Sequence, residues 1–133
     1  MKTIVKKFLL FLSLLFIAVS CSNNDDESNN SNNNIEPYLV KYEVTGNFSR
    51  PLVIRFTPRK GGVVVEENIT ALPWSKELII APSAKSVELF ISGTGGNTAE
   101  TVVAKIYIDN VERGKSTATS NSGSISSSVS HNF

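Results

Sequence analysis

Residues 101–109 read Thr-Val-Val-Ala-Lys-Ile-Tyr-Ile-Asp and alternate apolar with polar side chains. In an extended strand, successive side chains point to opposite faces, so every second residue lies on the same face. The apolar side chains that share one face here are Val102, Ala104, Ile106 and Ile108. No stretch of useful length in residues 36–133 has the three-to-four spacing of an amphipathic helix. The segment therefore predicts a β-strand with one buried face and one wet face.

The same alternation recurs on both sides of this segment, between clusters of turn residues. The further predicted strands are residues 38–45, 52–57, 63–67, 76–81, 86–92, 111–119 and 124–131. In residues 52–57, Arg55 and Thr57 are predicted to point outward. Asp109-Asn110 is predicted to form a tight hairpin turn. Seven or eight short strands predict an all-β fold, a small antiparallel β-sandwich of broadly immunoglobulin-like architecture.

The N-terminus has the pattern of a secretory signal peptide over residues 1–20. Three lysines precede a run of twelve residues, 8–19, that is apolar except for Ser13. A helix that spans a bilayer needs about 20 apolar residues, so this run is too short to serve as one. We expect cleavage after the run.

Residues 18–21 read Ala-Val-Ser-Cys and resemble the lipobox of bacterial lipoproteins, although Leu is commoner than Ala18 at its position. The resemblance implies that the thiol of Cys21 is lipidated and that Cys21 becomes the first mature residue. Each buried CH₂ contributes about 0.8 kcal/mol, so two or three acyl chains hold a protein on a membrane without spanning it. The alternative is an ordinary signal peptide with a chance cysteine.

Residues 21–35 are predicted to form a disordered tether between the lipid and a domain over residues 36–133. Residues 22–34 are Asn, Ser, Asp and Glu only, so they have nothing apolar to bury. Their root-mean-square reach is roughly 20 Å. The acidic triplet at residues 25–27 resembles the surface-export signal of Bacteroidetes lipoproteins, which implies an outer-membrane protein exposed at the cell surface. Otherwise, these residues simply keep the tether soluble.

Composition excludes several classes of function. The formal net charge is +1, and removal of the three lysines of the signal leaves −2, whereas nucleic-acid binders carry a basic excess. One Cys and one His are too few for a zinc site of the usual Cys/His kind, and one Cys cannot form an internal disulfide. We therefore expect no metal, no cofactor and no nucleic-acid partner.

The residues that could do catalysis are scattered, and the chain is predicted not to be an enzyme. His131, the only histidine, is the third residue from the end of the sequence. Adjacent Glu66 and Glu67 point to opposite faces of a strand and cannot form an acid–base pair with each other. The glycine-rich residues 93–97 lack the Lys-Ser/Thr and the helix of a phosphate-binding loop.

Three residues are candidate contacts for a partner or ligand: Trp74, Arg55 and Arg59. Trp74 either packs over the edge of the sandwich or stays exposed, where it could stack on a sugar or grip a partner protein. Arg55 and Arg59 belong to a modest basic cluster around the second strand. That cluster is either a solvated face or a patch for acidic glycans or lipid headgroups.

Three segments together resemble the soluble domain of the MmpS family of mycobacterial transport-accessory proteins. They are residues 38–46 (YLVKYEVTG), 71–77 (ALPWSKE) and 103–110 (VAKIYIDN). The resemblance implies a small β-sandwich that assists an RND-type exporter. This chain differs in having a lipid anchor signal in place of a membrane helix and no Cys within the domain.

These patterns together predict a non-enzymatic, lipid-anchored module of a bacterial cell envelope. Its expected role is association with envelope proteins, among which the resemblance points to a membrane export complex. The alternative role is a surface module that binds a glycan or another extracellular ligand.

Overall fold

The computed structural model describes residues 36–62 and 64–133. The predicted signal peptide and tether, with Cys21, lie outside the described residues. The described residues form eight strands and no helix, so none of them belongs to a helix that could cross a bilayer. The strands are β1 Tyr38–Gly46, β2 Leu52–Phe56, β3 Val65–Ile69, β4 Trp74–Ile80, β5 Ser86–Gly93, β6 Thr101–Ile108, β7 Val111–Thr119 and β8 Ile125–Asn132.

The strands form two four-stranded antiparallel sheets, in the orders β4-β1-β6-β7 and β3-β2-β5-β8. The predicted all-β sandwich is therefore confirmed. Each sheet turns one apolar face to the other sheet, as the alternation in β6 predicts. The core side chains are Val40, Tyr42, Val44, Phe48, Leu52, Ile54, Phe56, Ile80, Ala84, Val87, Leu89, Ile91, Val102, Ala104, Ile106, Ile108 and Ile125.

Most predicted strands differ from the observed ones by a residue at one or both ends, and two differ by more. The predicted strand 63–67 is confirmed over residues 65–67, but β3 begins at Val65 and continues to Ile69; Val64 is not part of it, and residue 63 lies outside the described residues. β3 pairs with β2 from Val65 opposite Phe56 to Ile69 opposite Leu52. Gly61 and Gly62, both at positive φ, belong to the turn that precedes β3. The fourth strand begins at Trp74 and ends at Ile80, because Trp74 already pairs with Val44 of β1.

Thr57 is buried, so the prediction that it points outward was wrong. The strand ends at Phe56, and Thr57 no longer follows the alternation. Its Oγ1 accepts a hydrogen bond from the Glu88 amide at 3.0 Å, and its carbonyl accepts one from the Tyr42 hydroxyl at 2.9 Å. Tyr42 is on β1 of the first sheet, so this second bond ties the two sheets together inside the core. Burial raises the pKa of Tyr42, so the hydroxyl stays protonated and donates.

The Asp109-Asn110 turn joins β6 to β7 as predicted. Both residues have positive φ, 50° and 66°, as a type I′ hairpin turn requires. Asp and Asn tolerate this region better than other residues with a side chain. Asp109 Oδ1 also accepts a hydrogen bond from the Leu39 amide at 3.1 Å, which fixes the turn against the start of β1.

One side of the sandwich is closed, where β7 lies against β8. A Cβ atom at Gly114 of β7 would lie only 2.6 Å from Cγ2 of Val129 on β8, so the backbone approaches closely because residue 114 is glycine. Ser127 Oγ and Ser116 Oγ are hydrogen-bonded across this seam at 2.9 Å. The opposite side, between β3 and β4, has no comparable seam among the described residues.

We expect Tyr42→Phe to lower the free energy of unfolding by about 1–3 kcal/mol. The substitution keeps the ring but leaves the buried Thr57 carbonyl without the hydroxyl donor. Urea denaturation measures the change. The control is Tyr107→Phe, on the outer face of β6, which should cost about 0.5 kcal/mol or less. Equal losses for the two variants would contradict the role given to the buried bond.

We expect Glu100→Gln to lower the melting temperature in a pH-dependent way. The Glu100 carboxylate accepts hydrogen bonds from the side chain and amide of Asn97 and from the amide of Ser49, which lower its pKa from 4.5 to about 2. A depressed folded pKa stabilises the fold above pH 4.5, and this contribution disappears as the pH falls towards 2. The gap between wild type and variant should therefore narrow over that window.

Thermal melts of both proteins between pH 7 and pH 2 test this dependence. Glu77→Gln, at an exposed position on β4, is the control and should follow the wild-type curve. A gap between wild type and Glu100→Gln that is the same at pH 7 and at pH 2 would contradict the assignment.

Candidate functional site

The open side of the sandwich contains a recess of about 530 Å³, which we call the β3–β4 cleft. It lies between the edge strands of the two sheets and extends to the β2–β3 loop. Its described lining residues are Phe56, Pro58, Arg59, Lys60, Gly61, Val65, Glu67, Lys76 and Leu78. The cleft is the candidate functional site because it combines an apolar floor with charged groups at its rim.

The cleft stays open because charged side chains occupy inward positions on both edge strands. Lys76 lies opposite buried Tyr42 in the β1–β4 register and so has the parity of the core face. Its ammonium group is 2.8 Å from Glu67 Oε1 on β3 and 5.8 Å from the centre of the Phe56 ring. The ion pair thus joins the two sheets where apolar packing would otherwise close them. Both side chains are partly exposed, so it contributes at most about 1 kcal/mol.

The rim of the cleft carries an excess of positive charge. Glu67 is the one carboxylate among the described lining residues, and Lys76 neutralises it. Arg59 and Lys60 are exposed, and neither lies within 4 Å of a carboxylate oxygen in the part of the chain that the structure describes. An acidic group on a partner or ligand would therefore find two unpaired cations here.

The structure separates the three predicted contact residues. Arg59 is at the cleft. Trp74 is partly buried, and its ring lies 5.7 Å from that of Phe56 at an angle of 47°, so it packs behind the cleft floor. Arg55 is on β2, on the outer face of the β3-β2-β5-β8 sheet. There it forms an ion pair with Glu66 at 2.7 Å and lies 5.7 Å from the centre of the Phe90 ring. The three residues do not form one site.

Sequence reasoning missed Lys76, Leu78 and Phe56 as cleft residues. One signal was present: in Trp-Ser-Lys-Glu-Leu-Ile-Ile, residues 74–80, a lysine occupies the same parity as Trp74, Leu78 and Ile80. A charged residue at an inward strand position marks a sheet edge that is not fully covered. Glu66 and Glu67 do point to opposite faces, towards Arg55 and Lys76 respectively, as predicted.

Titratable groups do not cluster into a metal site in the described part of the chain. No group of three or more His, Cys, Asp or Glu side chains comes together there. His131 is on β8, and its ring lies edge-on to Phe133 at 5.7 Å. The Glu100 carboxylate holds the Ser49 and Asn97 loops together, which is a structural role.

Comparison with known proteins gives no relative from which a function could be inferred, so the choice of candidate site rests on the geometry. No protein-family profile matches this chain, and no curated protein does.

We expect the fluorescence of Trp74, the single tryptophan, to have an intermediate character. Its partial burial against Phe56 should place the emission maximum at a shorter wavelength than in the unfolded chain, and acrylamide should quench it only in part. Emission spectra in buffer and in urea measure this. A folded-state spectrum that matches the unfolded one would mean that the ring is fully exposed.

Proposed function

We propose that this chain is a non-enzymatic, lipid-anchored module of a bacterial cell envelope that associates with another envelope protein. The partner contributes an extended segment that lies in the β3–β4 cleft. The observation that carries the proposal is the cleft itself, an apolar recess with a basic rim between two edge strands.

The backbone next to the cleft suits an extended partner. β3 and β4 are each paired on one side only, so their outer N–H and C=O groups are free to accept a further strand. In recognition of this kind, main-chain hydrogen bonds supply affinity and pockets for alternate side chains supply specificity. The floor formed by Phe56, Val65 and Leu78 would take an apolar side chain of the added strand.

Charge narrows the chemistry of the partner segment. Arg59 and Lys60 at the rim favour an acidic residue beside the apolar one. Glu67 is already paired with Lys76 and would not repel it strongly. The partner segment is therefore acidic and apolar, and it approaches in an extended conformation.

The membrane attachment in this proposal rests on Cys21 and its lipobox-like context, and the surface exposure on the acidic triplet at residues 25–27, which resembles an export signal to the outer surface of the outer membrane. The resemblance to the MmpS family supports a membrane export complex as the source of the partner. The alternative of a glycan-binding module has less support from the geometry. The Trp74 ring packs on Phe56 instead of lying open, and the cleft floor is mostly apolar.

Site-specific photocrosslinking in the native bacterium tests the association. A photoreactive amino acid replaces Val65, which lines the cleft, or Ser128, an exposed residue on β8, in the full-length protein. We expect a membrane-associated envelope protein to be captured severalfold more strongly from position 65. Leu78→Asp, which places a carboxylate in the cleft floor, should reduce that capture.

Equal capture from positions 65 and 128 would contradict the proposal, as would capture that Leu78→Asp leaves unchanged. The melting temperature of each variant shows that a loss of capture does not come from unfolding. Recovery of polysaccharide from position 65, with no protein adduct, would favour the glycan-binding alternative.

A further inference from the structure

The large apolar side chains that stay exposed in the described residues all lie at one end of the sandwich. They have exposed fractions between 39% and 56% and are Val64, Val65, Ile79, Val111 and Phe133. Exposed apolar residues scattered singly over a surface need no explanation, but five at the same end of a small domain suggest that this end contacts something apolar. We call this the tether end, because β1 begins there.

Strand pairing places the first three of these positions. Tyr38, the first residue of β1, is opposite Ile80, so Ile79 at the end of β4 lies beside the start of the domain. The Arg59 carbonyl accepts a hydrogen bond from the Ala81 amide at 3.0 Å, which packs the loop before Val64 and Val65 against the end of β4.

The other two residues, Val111 and Phe133, lie at the same end of the sandwich, at the start of β7 and after the end of β8. Val111 follows the β6–β7 turn and pairs with Ile108. The Phe133 ring stacks on Tyr38, with ring centres 3.9 Å apart. The Phe133 amide also donates to the Lys85 carbonyl at 3.1 Å, which joins the end of the chain to the β4–β5 loop.

Three basic residues accompany this surface. Arg59, Lys60 and Lys85 are exposed in the β2–β3 and β4–β5 loops, which touch where Gly61 faces Ala84. None of the three forms an ion pair with another described residue. Acidic groups at this end are Glu36 before β1, Asp109 in the β6–β7 turn, Glu112 on β7 and Glu88 on β5. Asp109 already accepts the Leu39 amide, and Glu112 is paired with Lys105 at 3.0 Å.

The opposite end of the sandwich has a different surface. Its loops are residues 47–51, 70–73, 94–100 and 120–124, which are rich in Ser, Thr, Asn and Gly. No large apolar side chain of the described residues is exposed in them. One end of the domain therefore exposes large apolar side chains and the other end is polar. The end with the exposed apolar side chains is the one at which the tether joins the domain.

We propose that the tether end docks on the surface of the membrane that holds the lipid anchor. Ile79, Val111 and Phe133 then lie at the level of the headgroups. Lys85 faces anionic headgroups, whose attraction acts within a Debye length of about 8 Å, and Arg59 and Lys60 add positive potential at this end while they remain at the rim of the cleft. The inference rests on the lipid anchor of the proposed function.

Because the tether keeps the domain near the bilayer, weak contacts between the tether end and the lipid surface are sufficient for docking. Fourteen residues separate Cys21 from Glu36, so the tether end stays within a few tens of ångströms of the bilayer. Docking is then an intramolecular step with a high effective concentration of lipid surface. The β2–β3 loop belongs both to this end and to the cleft, so the docked domain holds the cleft beside the bilayer, where a membrane complex presents its segments.

The experiment uses the lipidated mature protein in nanodiscs of phosphatidylcholine with a minority of phosphatidylglycerol. Cys21 is the only cysteine and is acylated, so an introduced cysteine is the one free thiol for an environment-sensitive dye. The dye is attached at Ile79→Cys or Val111→Cys, and the matched control is Thr94→Cys, exposed at the opposite end. Nitroxide-labelled lipids measure proximity to the bilayer by quenching.

We expect severalfold stronger quenching at positions 79 and 111 than at position 94. Lys85 does not line the cleft, so its substitution leaves the proposed partner site intact. Lys85→Gln should lower the ratio of docked to undocked protein by about fivefold. Equal quenching at both ends would overturn the docking, while the anchor would stand if the protein still elutes with the nanodiscs. Elution apart from the nanodiscs would contradict the anchor, and the docking inference would fall with it.

Discussion

The hydrogen bond from the Tyr42 hydroxyl to the Thr57 carbonyl is a polar link between the two sheets inside a mainly apolar core, and it constrains how the central strands of the two sheets are placed against each other. Tyr42 belongs to a central strand of one sheet, and Thr57 follows a central strand of the other. A buried hydroxyl without a partner is costly, so the two sheets are held in the position that satisfies it. Phe56, next to Thr57, then packs against both Tyr42 and Trp74.

The two sides of the sandwich differ because of the side chains that face inward along its edges. On the β7–β8 side, Gly114 and two serines allow a close seam. On the β3–β4 side, Lys76 and Glu67 occupy inward positions and meet as an ion pair. Charged groups retain water, so this side remains a cleft instead of becoming part of the core. The proposed partner site is a direct consequence of that difference.

The two ends of the sandwich also differ in the polarity of their surfaces, and the proposed membrane attachment would explain this difference. The end that continues into the tether combines exposed apolar side chains with unpaired cations, whereas the far end is polar. An anchored domain that meets a bilayer at one end and solvent at the other would need this distribution. The cleft opens between these ends, close to the basic β2–β3 loop. Membrane attachment and partner association would thus use adjoining surfaces of the same small domain.

The alternation in residues 38–45, 86–92 and 101–109 by itself determined that the domain over residues 36–133 is built from strands and which of their faces are buried, because side-chain parity in a strand is a local property. The Asp109-Asn110 turn was equally local. Only the tertiary structure decided that Thr57 is buried, that Arg59 lies at a cleft and that Arg55 lies elsewhere. Those facts depend on strand order and on which edges meet, and neither is encoded by neighbours in the sequence. The cleft and the tether end are built from loops and strands far apart in the chain, so the sequence supplied their residues and the fold brought them together.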